Sequence, residues 1–248
     1  INGYADRGAG MSNEYSNPTL ENCIFTNNSA EYGGGMLNYF SNPTLTDCTF
    51  TGNSCNPNVG AGMFNEYSNP TLTNCTFTEN TSNWRGGGMY NTDSSPTLTD
   101  CTFTGNTAVA NGGGMRNYSN SSPTLTNCTF TGNTAGSGFL GGGIANDSSN
   151  PTLTDTTVCG NTPDQIEGSW TDGGGNYVAD NCNAPTGACC VDTSCSIETP
   201  ADCTAAGGTY LGDGSSCKGD PCSPDPTLWT VDDSGGADFY DIQSAVNA

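Results

Sequence analysis

Carboxylates that recur at a fixed place are the first residues in this sequence that could do chemistry. Hydrolysis of a glycosidic bond uses two carboxyl groups about 5 to 9.5 Å apart. Asp47, Asp100 and Asp155 share one position of a repeated segment, and asparagine stands there in the copies between them. In stacked copies this alternation separates successive aspartates by about 9.6 Å, but it also keeps like charges from stacking directly. Because the avoidance of like-charge stacking is enough to explain the alternation of aspartate and asparagine, we expect a non-catalytic protein.

Four aspartates near the C-terminus are the best candidate metal ligands. They are Asp232, Asp233, Asp238 and Asp241. Hard oxygen ligands suit Ca²⁺, although the order of these four matches no established calcium loop. Ca²⁺ is therefore the only cofactor for which the sequence offers candidate ligands.

Aromatic side chains in the variable segments of the repeat could stack on sugar rings. These rings are Tyr32, Trp84, Phe139 and Trp170, and a second set beside a repeated turn comprises Tyr15, Tyr39, Tyr67 and Tyr118. The alternative is that such rings cover the corners of a thin core.

Cysteines form two populations, and the first occupies one position of the repeat. Its members are Cys23, Cys48, Cys75, Cys101 and Cys128, with Thr156 in the sixth copy. In-register stacking leaves their Cβ atoms beyond the usual disulfide range, and thiols in a line cannot surround zinc tetrahedrally. We expect a buried column of free thiols that act as small apolar side chains.

The second population is a dense C-terminal cluster. It contains Cys189, Cys190, Cys195, Cys203, Cys217 and Cys222. An even set in a segment with little apolar sequence predicts a disulfide-stapled extracellular module. Cys182 is left to pair with Cys159, or Cys55 remains an odd thiol in its loop, and the sequence leaves these alternatives open.

The elements that position all these residues are copies of one repeat. One position of the repeat, which we use as its anchor, is phenylalanine in five copies and valine in the sixth: Phe25, Phe50, Phe77, Phe103, Phe130 and Val158. The distances between successive anchors are 25, 27, 26, 27 and 28 residues. A leucine lies five residues before each anchor, an asparagine three residues after it, and a glycine run with a methionine follows in most copies. A fixed period of this size predicts a solenoid.

Each repeat predicts three short strands. Cys48 and Phe50 alternate with threonines, which is the period of a strand with one buried face. Leu45 marks a second strand, and the third has Met36 facing in and Leu37 facing out. Stacked at about 4.8 Å, such coils pair their backbones with the coils above and below. The expected fold is all-β, a parallel β-helix of about six rungs. Asn28 and its copies are expected to form a corner in left-handed or bridging conformations and to stack as an internal ladder.

Charge excludes some partners. The chain has 25 acidic residues, four basic residues and no histidine, for a net charge of −21. Nucleic acid and anionic membrane surfaces both require a basic face. No stretch reaches the about 18 apolar residues that suggest a membrane span, so we expect no nucleic acid and no span in this chain.

The alternation of Phe-x-x-Asn with Gly-Gly-x-aliphatic resembles the repeats of polymorphic outer membrane proteins. It appears as Phe50-Thr51-Gly52-Asn53 and Gly141-Gly142-Gly143-Ile144. The resemblance implies a right-handed parallel β-helix of the pectate-lyase-like superfamily on a bacterial, planctomycete-like cell surface. Polysaccharide lyases of that superfamily use carboxylates, Ca²⁺ and an arginine or lysine base. Arg85 and Arg116 occupy different positions of the repeat, so they need not face one cleft.

The C-terminal segment resembles the opening strand and capping helix of the same superfamily. The residues that carry this are Trp229, Val231, Phe239, Ile242 and Val246. We expect three regions: the β-helix at 1–181, the disulfide module at 182–224 and the cap at 225–248. The cap either covers its own helix, begins another one, or docks head-to-tail on a second chain.

The sequence thus favours an extracellular structural or adhesive solenoid that assembles head-to-tail into a filament, tandem array or surface layer. The first alternative is a β-helix that binds or degrades polysaccharide, with extracellular polysaccharide as partner. The second is ice binding, because outward pairs such as Thr49 and Thr51 resemble the regular Thr-x-Thr arrays of ice-binding solenoids.

Overall fold

A computed structural model describes residues 4–182, 187–192, 194–198, 200–211 and 222. The chain divides into two compact units, Ile1–Cys182 and Asn183–Ala248. The first unit is an all-β parallel solenoid of about six turns, which confirms the predicted fold class. Several predicted features lie outside the described residues: the calcium ligands Asp232, Asp233, Asp238 and Asp241, the cap residues Trp229, Val231, Phe239, Ile242 and Val246, and Cys217.

Four parallel sheets form the solenoid, and we name each by its sequence character. The corner sheet contains Tyr4–Arg7, Ser29–Tyr32, Ser54–Cys55, Thr81–Ser82, Thr107–Ala108 and Thr134–Ala135. The methionine sheet contains Met11–Glu14, Met36–Tyr39, Met63–Glu66, Met89–Thr92, Met115–Tyr118, Ile144–Asp147 and Ile166–Glu167. The leucine sheet contains Thr19–Glu21, Thr44–Thr46, Thr71–Thr73, Thr97–Thr99, Thr124–Thr126, Thr152–Thr154 and Thr171–Asp172. The phenylalanine sheet contains Ile24–Thr26, Thr49–Thr51, Thr76–Thr78, Thr102–Thr104, Thr129–Thr131, Thr157–Cys159 and Tyr177–Ala179.

The corner sheet corrects the prediction of three strands per repeat. Its strands occupy the start of the segments that were expected to be variable loops. Most of them are only two residues long, which is too short to show a strand period in the sequence. Their pairing comes from the rungs above and below, as in the contact of Ser82 with Cys55 and Ala108.

The core of the solenoid consists of identical residues stacked in register. Leu72 pairs with Leu45 and Leu98, and Phe77 pairs with Phe50 and Phe103. The phenyl rings from Phe25 to Phe130 stack with centroids 4.5 to 4.7 Å apart and planes within 7° of parallel. Each fully buried phenylalanine stabilises the fold by about 1.5 to 3 kcal/mol relative to an exposed one.

The asparagine ladder is confirmed, but the left-handed residue of the corner lies one position earlier. Asn28 donates to Asn53, and the same contact continues through Asn80, Asn106, Asn133 and Asn161. The left-handed residues are Asn27, Gly52, Glu79, Gly105, Gly132 and Gly160, with φ from 52 to 65°. A side chain that must point into the core to reach its neighbours cannot also occupy the turning position, so the preceding residue turns instead.

The residue after Met36, Met63, Met89 and Met115 is buried, whereas Ser12 after Met11 is exposed. This corrects the expectation that Leu37 faces water. Leu37, Phe64 and Tyr90 have relative exposures of 1, 6 and 7%. With Val59 they form a second apolar cluster, against which Tyr32 and Tyr39 also pack. These side chains do point away from the solenoid core, but the long connections before the glycine runs fold over them.

The cysteine column consists of free thiols, as predicted. Cys48, Cys75, Cys101 and Cys128 are buried and unbridged. Each Sγ donates to the carbonyl oxygen two residues earlier, at 3.3 to 3.4 Å. Cys182 forms a disulfide with Cys159, so of the open alternatives this pairing is realised, and Cys55 is a free thiol buried in a corner-sheet strand.

The second unit contains a small antiparallel sheet and one short helix. The strands are Gly187–Val191, Ser194–Glu198 and Thr209–Tyr210, and the helix is Pro200–Ala205. Disulfides join Cys189 to Cys203 and Cys190 to Cys222, which supports the predicted disulfide module. The helix was not expected from the sequence, because its six residues are too few to show a helical period. None of the helices described is long and apolar enough to cross a membrane.

Candidate functional site

The corner between the methionine sheet and the leucine sheet carries a continuous run of exposed and half-buried side chains that we call the corner stripe. It begins with the residue after each of the first six methionine-sheet strands: Tyr15, Phe40, Tyr67, Asp93, Ser119 and Ser148. All six have left-handed backbone, with φ from 46 to 54°. This conformation turns the chain through the corner at every rung and points the side chain outward.

A buried serine ladder holds this corner. Ser41 Oγ donates to the Tyr39 carbonyl at 2.9 Å and accepts the Ser16 backbone N–H at 3.0 Å. Ser68 and Ser94 repeat the same two contacts. Since each hydroxyl satisfies a carbonyl of its own rung and an N–H of the preceding rung, the corner keeps one geometry along the solenoid.

The first three rungs of the corner stripe carry stacked aromatic rings. Phe40 lies between Tyr15 and Tyr67, with centroid distances of 5.4 and 4.7 Å and interplanar angles of 2 and 15°. Tyr39 packs edge-on against Phe40 at 4.6 Å. Tyr15, Phe40 and Tyr67 remain 73, 43 and 46% exposed. A bare apolar surface of about three rungs therefore faces solvent.

The later rungs of the corner stripe form a shallow polar groove of about 600 Å³. Its lining is Asn120, Ser122, Ser148, Ser149, Asn150 and Ser169. The fifth rung has two consecutive left-handed residues, Ser119 and Asn120, so its corner is one residue longer. Ser121 Oγ accordingly donates to a carbonyl three residues back, that of Tyr118, at 2.7 Å. The extra residue widens the corner where the groove lies.

Carboxylates border the aromatic part of the stripe. Glu14 and Glu66 end two of the methionine-sheet strands. Both lie beside Tyr39 in the register of the sheet. Burial raises the pKa of Tyr39, and the charges of Tyr15 and then Glu66 raise it further. The stripe is therefore aromatic and acidic at one end. At the other end its groove is lined by serine and asparagine, with the Asp147 carboxylate 3.4 Å from Ser148 Oγ.

The two arginines, which the sequence did not require to face one cleft, both act on Tyr90, and Arg116 lies beside Tyr90 in the register of the methionine sheet. Burial raises the pKa of Tyr90, and the nearby charges of Arg85 and Arg116 oppose that rise. Arg116 is 4% exposed and pairs with Asp147 at 3.1 Å. Burial lowers the pKa of Arg116, and the charge of Arg85 adds to the effect. Within the described residues, the Nε atoms of both arginines are buried without a hydrogen-bond partner.

The repeated aspartates lie elsewhere, at the corner between the leucine and phenylalanine sheets. Asp47 accepts a hydrogen bond from Asn74 at 2.5 Å, and Asp100 accepts one from Asn127 at 2.6 Å. These residues also turn the chain with left-handed backbone. The alternation of aspartate and asparagine is thus a structural pairing, and the arginines are on a different side of the rung.

The four loop aromatics do not form one surface. Trp84 and Phe139 contact each other at 6.4 Å, and Arg85 lies 5.1 Å from the centre of the Trp84 ring. Tyr32 packs against Phe64 at 5.7 Å. Trp170 is partly buried against the main core. Their role in sugar stacking stays a prediction.

The outward threonines form in-register columns on two sheets. The first column of the leucine sheet is threonine in all seven strands, from Thr19 to Thr171. The phenylalanine sheet repeats the pattern with Thr76 beside Thr49 and Thr102. Ice binding by these columns stays a prediction, which a thermal hysteresis assay checks.

Sequence reasoning found part of the corner stripe and missed the rest. It named Tyr15, Tyr39 and Tyr67 as a set, but not Phe40 or the groove. The available signal was a serine before each Asn-Pro or Ser-Pro, as in Ser41 and Ser68, which marks a repeated corner. Among the described residues, no group of three or more His, Cys, Asp or Glu side chains could hold a metal ion.

Comparison with known proteins gives one result. A family model described as a right-handed beta helix region matches residues 1–130. No curated protein matches the chain.

Proposed function

Since the chain belongs to the right-handed β-helix family, we propose that it is an extracellular structural or adhesive solenoid without catalytic activity. The observation that carries this proposal is the continuity of the internal ladders. Asparagine, phenylalanine and leucine columns run in register through the rungs. Stability is then a sum of similar rung and interface contributions, which suits a rod that bears load or presents a surface.

The disulfides support an extracellular location. Cys159–Cys182, Cys189–Cys203 and Cys190–Cys222 are bridged, and disulfides persist in oxidising compartments. The core excludes solvent from Cys48, Cys75, Cys101 and Cys128, which protects these thiols from oxidation in such a compartment.

Polysaccharide binding is the second candidate, and the corner stripe favours it. Exposed aromatic rings on the same corner as a groove of hydroxyl and amide groups provide the apolar contact and the hydrogen bonds that sugars require. A surface of this kind would make the solenoid adhesive without any chemical step.

The test of the non-catalytic role is a search for turnover. The full chain is incubated with neutral and uronate polysaccharides, with and without Ca²⁺, and reducing ends and unsaturated products are measured. We expect no products above a heat-denatured control. Product release that is lost on substitution of Arg116 or Asp147 would overturn the proposal.

Head-to-tail assembly is proposed as the form in which the solenoid acts. Its support is the cap-like sequence around Phe239 and Ile242, because open β-helix ends are surfaces that pair with other chains. Electron microscopy of the full chain should show filaments or arrays. Phe239→Asp with Ile242→Asp should abolish them, whereas Ser244→Asp, on the opposite side of the predicted helix, should not. Strictly monomeric wild-type protein at high concentration would contradict assembly.

A further inference from the structure

The aromatic part of the corner stripe uses residues that the turn itself disfavours. Bulky side chains at φ near 50° are uncommon, because this region suits glycine, asparagine and aspartate. The same corner position holds Asp93 in the fourth rung with the same backbone. Tyr15, Phe40 and Tyr67 occupy it at φ of 51, 46 and 50°. The turn therefore does not explain the rings, and strained residues of this kind concentrate at functional sites.

Core packing does not explain the rings either. Phe40 and Tyr67 are 43 and 46% exposed although each contacts a neighbouring ring. Stacking offsets part of the cost of the left-handed backbone, by about 0.5 to 1.5 kcal/mol per pair. It leaves the ring edges bare along about three rungs, which is about 10 Å at the spacing between strands.

The surroundings of the stripe determine the charge of a ligand that could lie on it. Glu14 and Glu66 border the rings, and the groove lining contains only serine and asparagine. The nearest cation of the methionine sheet, Arg116, is buried and paired with Asp147. With a chain net charge of −21, an anionic polymer is repelled and finds no free cation on the stripe.

From these observations we propose that the corner stripe binds an uncharged glycan chain laid along the solenoid axis. The rings from Tyr15 to Tyr67 contact the apolar faces of the sugars, and Ser148, Asn150 and Ser169 exchange hydrogen bonds with their hydroxyl groups. The stripe crosses about six rung spacings, or about 29 Å, so it fits a polymer better than a single sugar. The inference rests on the proposed adhesive role and names the ligand class for it.

Affinity electrophoresis of the full chain tests this ligand class. Native gels contain a linear neutral β-glucan, a neutral galactomannan, or polygalacturonate as the anionic probe. We expect at least one neutral polymer to retard the chain and polygalacturonate not to do so. No retardation by either neutral polymer, or stronger retardation by polygalacturonate, would overturn the inference.

Substitutions locate the site. In Phe40→Asn with Tyr67→Asn the rings are removed while the left-handed turn keeps a residue that tolerates it, so the fold should survive. We expect the apparent Kd for the retarding polymer to rise about tenfold or more. Ser169→Trp, which fills the groove, should also weaken binding. Leu140→Asn is the matched control, because Leu140 is 46% exposed, as Tyr67 is, but lies in the connection before a glycine run.

The outcomes separate this inference from the proposed function. Unchanged affinity in the double variant, or loss of affinity in Leu140→Asn, overturns the corner stripe as the site. Neither result changes the turnover assay, which alone decides whether the solenoid is catalytic. Product release with intact stripe binding would reject the adhesive role and keep the ligand class.

Discussion

Asn80 accepts two hydrogen bonds from Asn53 on the preceding rung, with its Oδ1 2.9 Å from Asn53 Nδ2 and 3.0 Å from the Asn53 backbone nitrogen. Its own Nδ2 donates to the Phe50 carbonyl and to Asn106 Oδ1, both at 2.9 Å. One buried side chain thus satisfies groups on two neighbouring rungs. The asparagine ladder therefore joins neighbouring rungs along the solenoid axis, in addition to the backbone pairing of the strands.

Asn80→Ala should therefore be severely destabilising. It removes the Oδ1 acceptor of the Asn53 backbone N–H and of one Asn53 Nδ2–H in the core, and each buried group left unsatisfied costs about 1 to 3 kcal/mol. We expect the free energy of unfolding to fall by about 3 kcal/mol or more, measured by urea denaturation. Thr81→Ala, one residue away and exposed, should stay within about 0.5 kcal/mol of wild type. Equal effects of the two substitutions would refute the role given to the ladder.

Glu79→Gly should stabilise the solenoid. Glu79 is exposed and has φ of 55°, where the neighbouring rungs have Gly52 and Gly105. The left-handed conformation costs an ordinary residue about 1 to 2 kcal/mol, which exceeds the entropy cost of glycine of about 0.5 to 1 kcal/mol. We expect a gain of about 0.5 to 1 kcal/mol in urea denaturation. Glu79→Ala, which keeps the Cβ atom, is the control and should show no gain.

Cys55 should make the fold sensitive to alkali. Burial raises the pKa of its thiol to about 12 from an ordinary value near 9. The unfolded chain therefore loses this proton first as the pH rises, so the stabilisation is complete below about pH 9 and is lost between about pH 9 and 12. In that window the free energy of unfolding should fall by up to about 1.4 kcal/mol per pH unit from this group.

The matched substitution for this test is Cys55→Ala, because alanine stands beside it in the preceding strand as Ala30. Urea denaturation at pH 8, 9.5 and 11 should give a shallower pH dependence in the variant. An identical slope in wild type and variant would contradict the assignment to Cys55. Cys23→Ala is the control for a thiol that is only partly buried.

Substitution of Arg116 and substitution of Asp147 should change the stability of the fold in opposite directions. Arg116 occupies the column of Leu37 and Phe64 with a buried guanidinium whose Nε has no partner among the described residues. Arg116→Leu removes the buried guanidinium. The Asp147 side chain, which is 51% exposed, is then solvated by water. We expect Arg116→Leu to be neutral or stabilising by about 1 to 2 kcal/mol, since apolar replacement of a buried pair is often favourable. Asp147→Ala should destabilise, because it leaves the buried cation unpaired, and thermal unfolding of both variants checks the signs.

The sequence predicted the inward positions because they are set by local alternation within one repeat. Leu72, Cys75 and Phe77 are all fully buried, and their copies stack with them in register. Most of the candidate site was not predictable in the same way. The corner stripe depends on which side chains from different rungs meet at one turn, and Phe40 differs in sequence from its counterparts in the later rungs.

What the sequence determined by itself is the solenoid, the thiol column and the asparagine ladder, because a repeat that stacks on itself turns each local preference into a column. Only the tertiary structure decided whether an outward-facing residue is exposed to solvent or buried. Leu37 and Arg116 point away from the core and are nevertheless buried, because the connections before the glycine runs fold over them. Burial of an outward side chain depends on chain segments from other parts of the rung and its neighbours, and the alternation of a single strand carries no information about them.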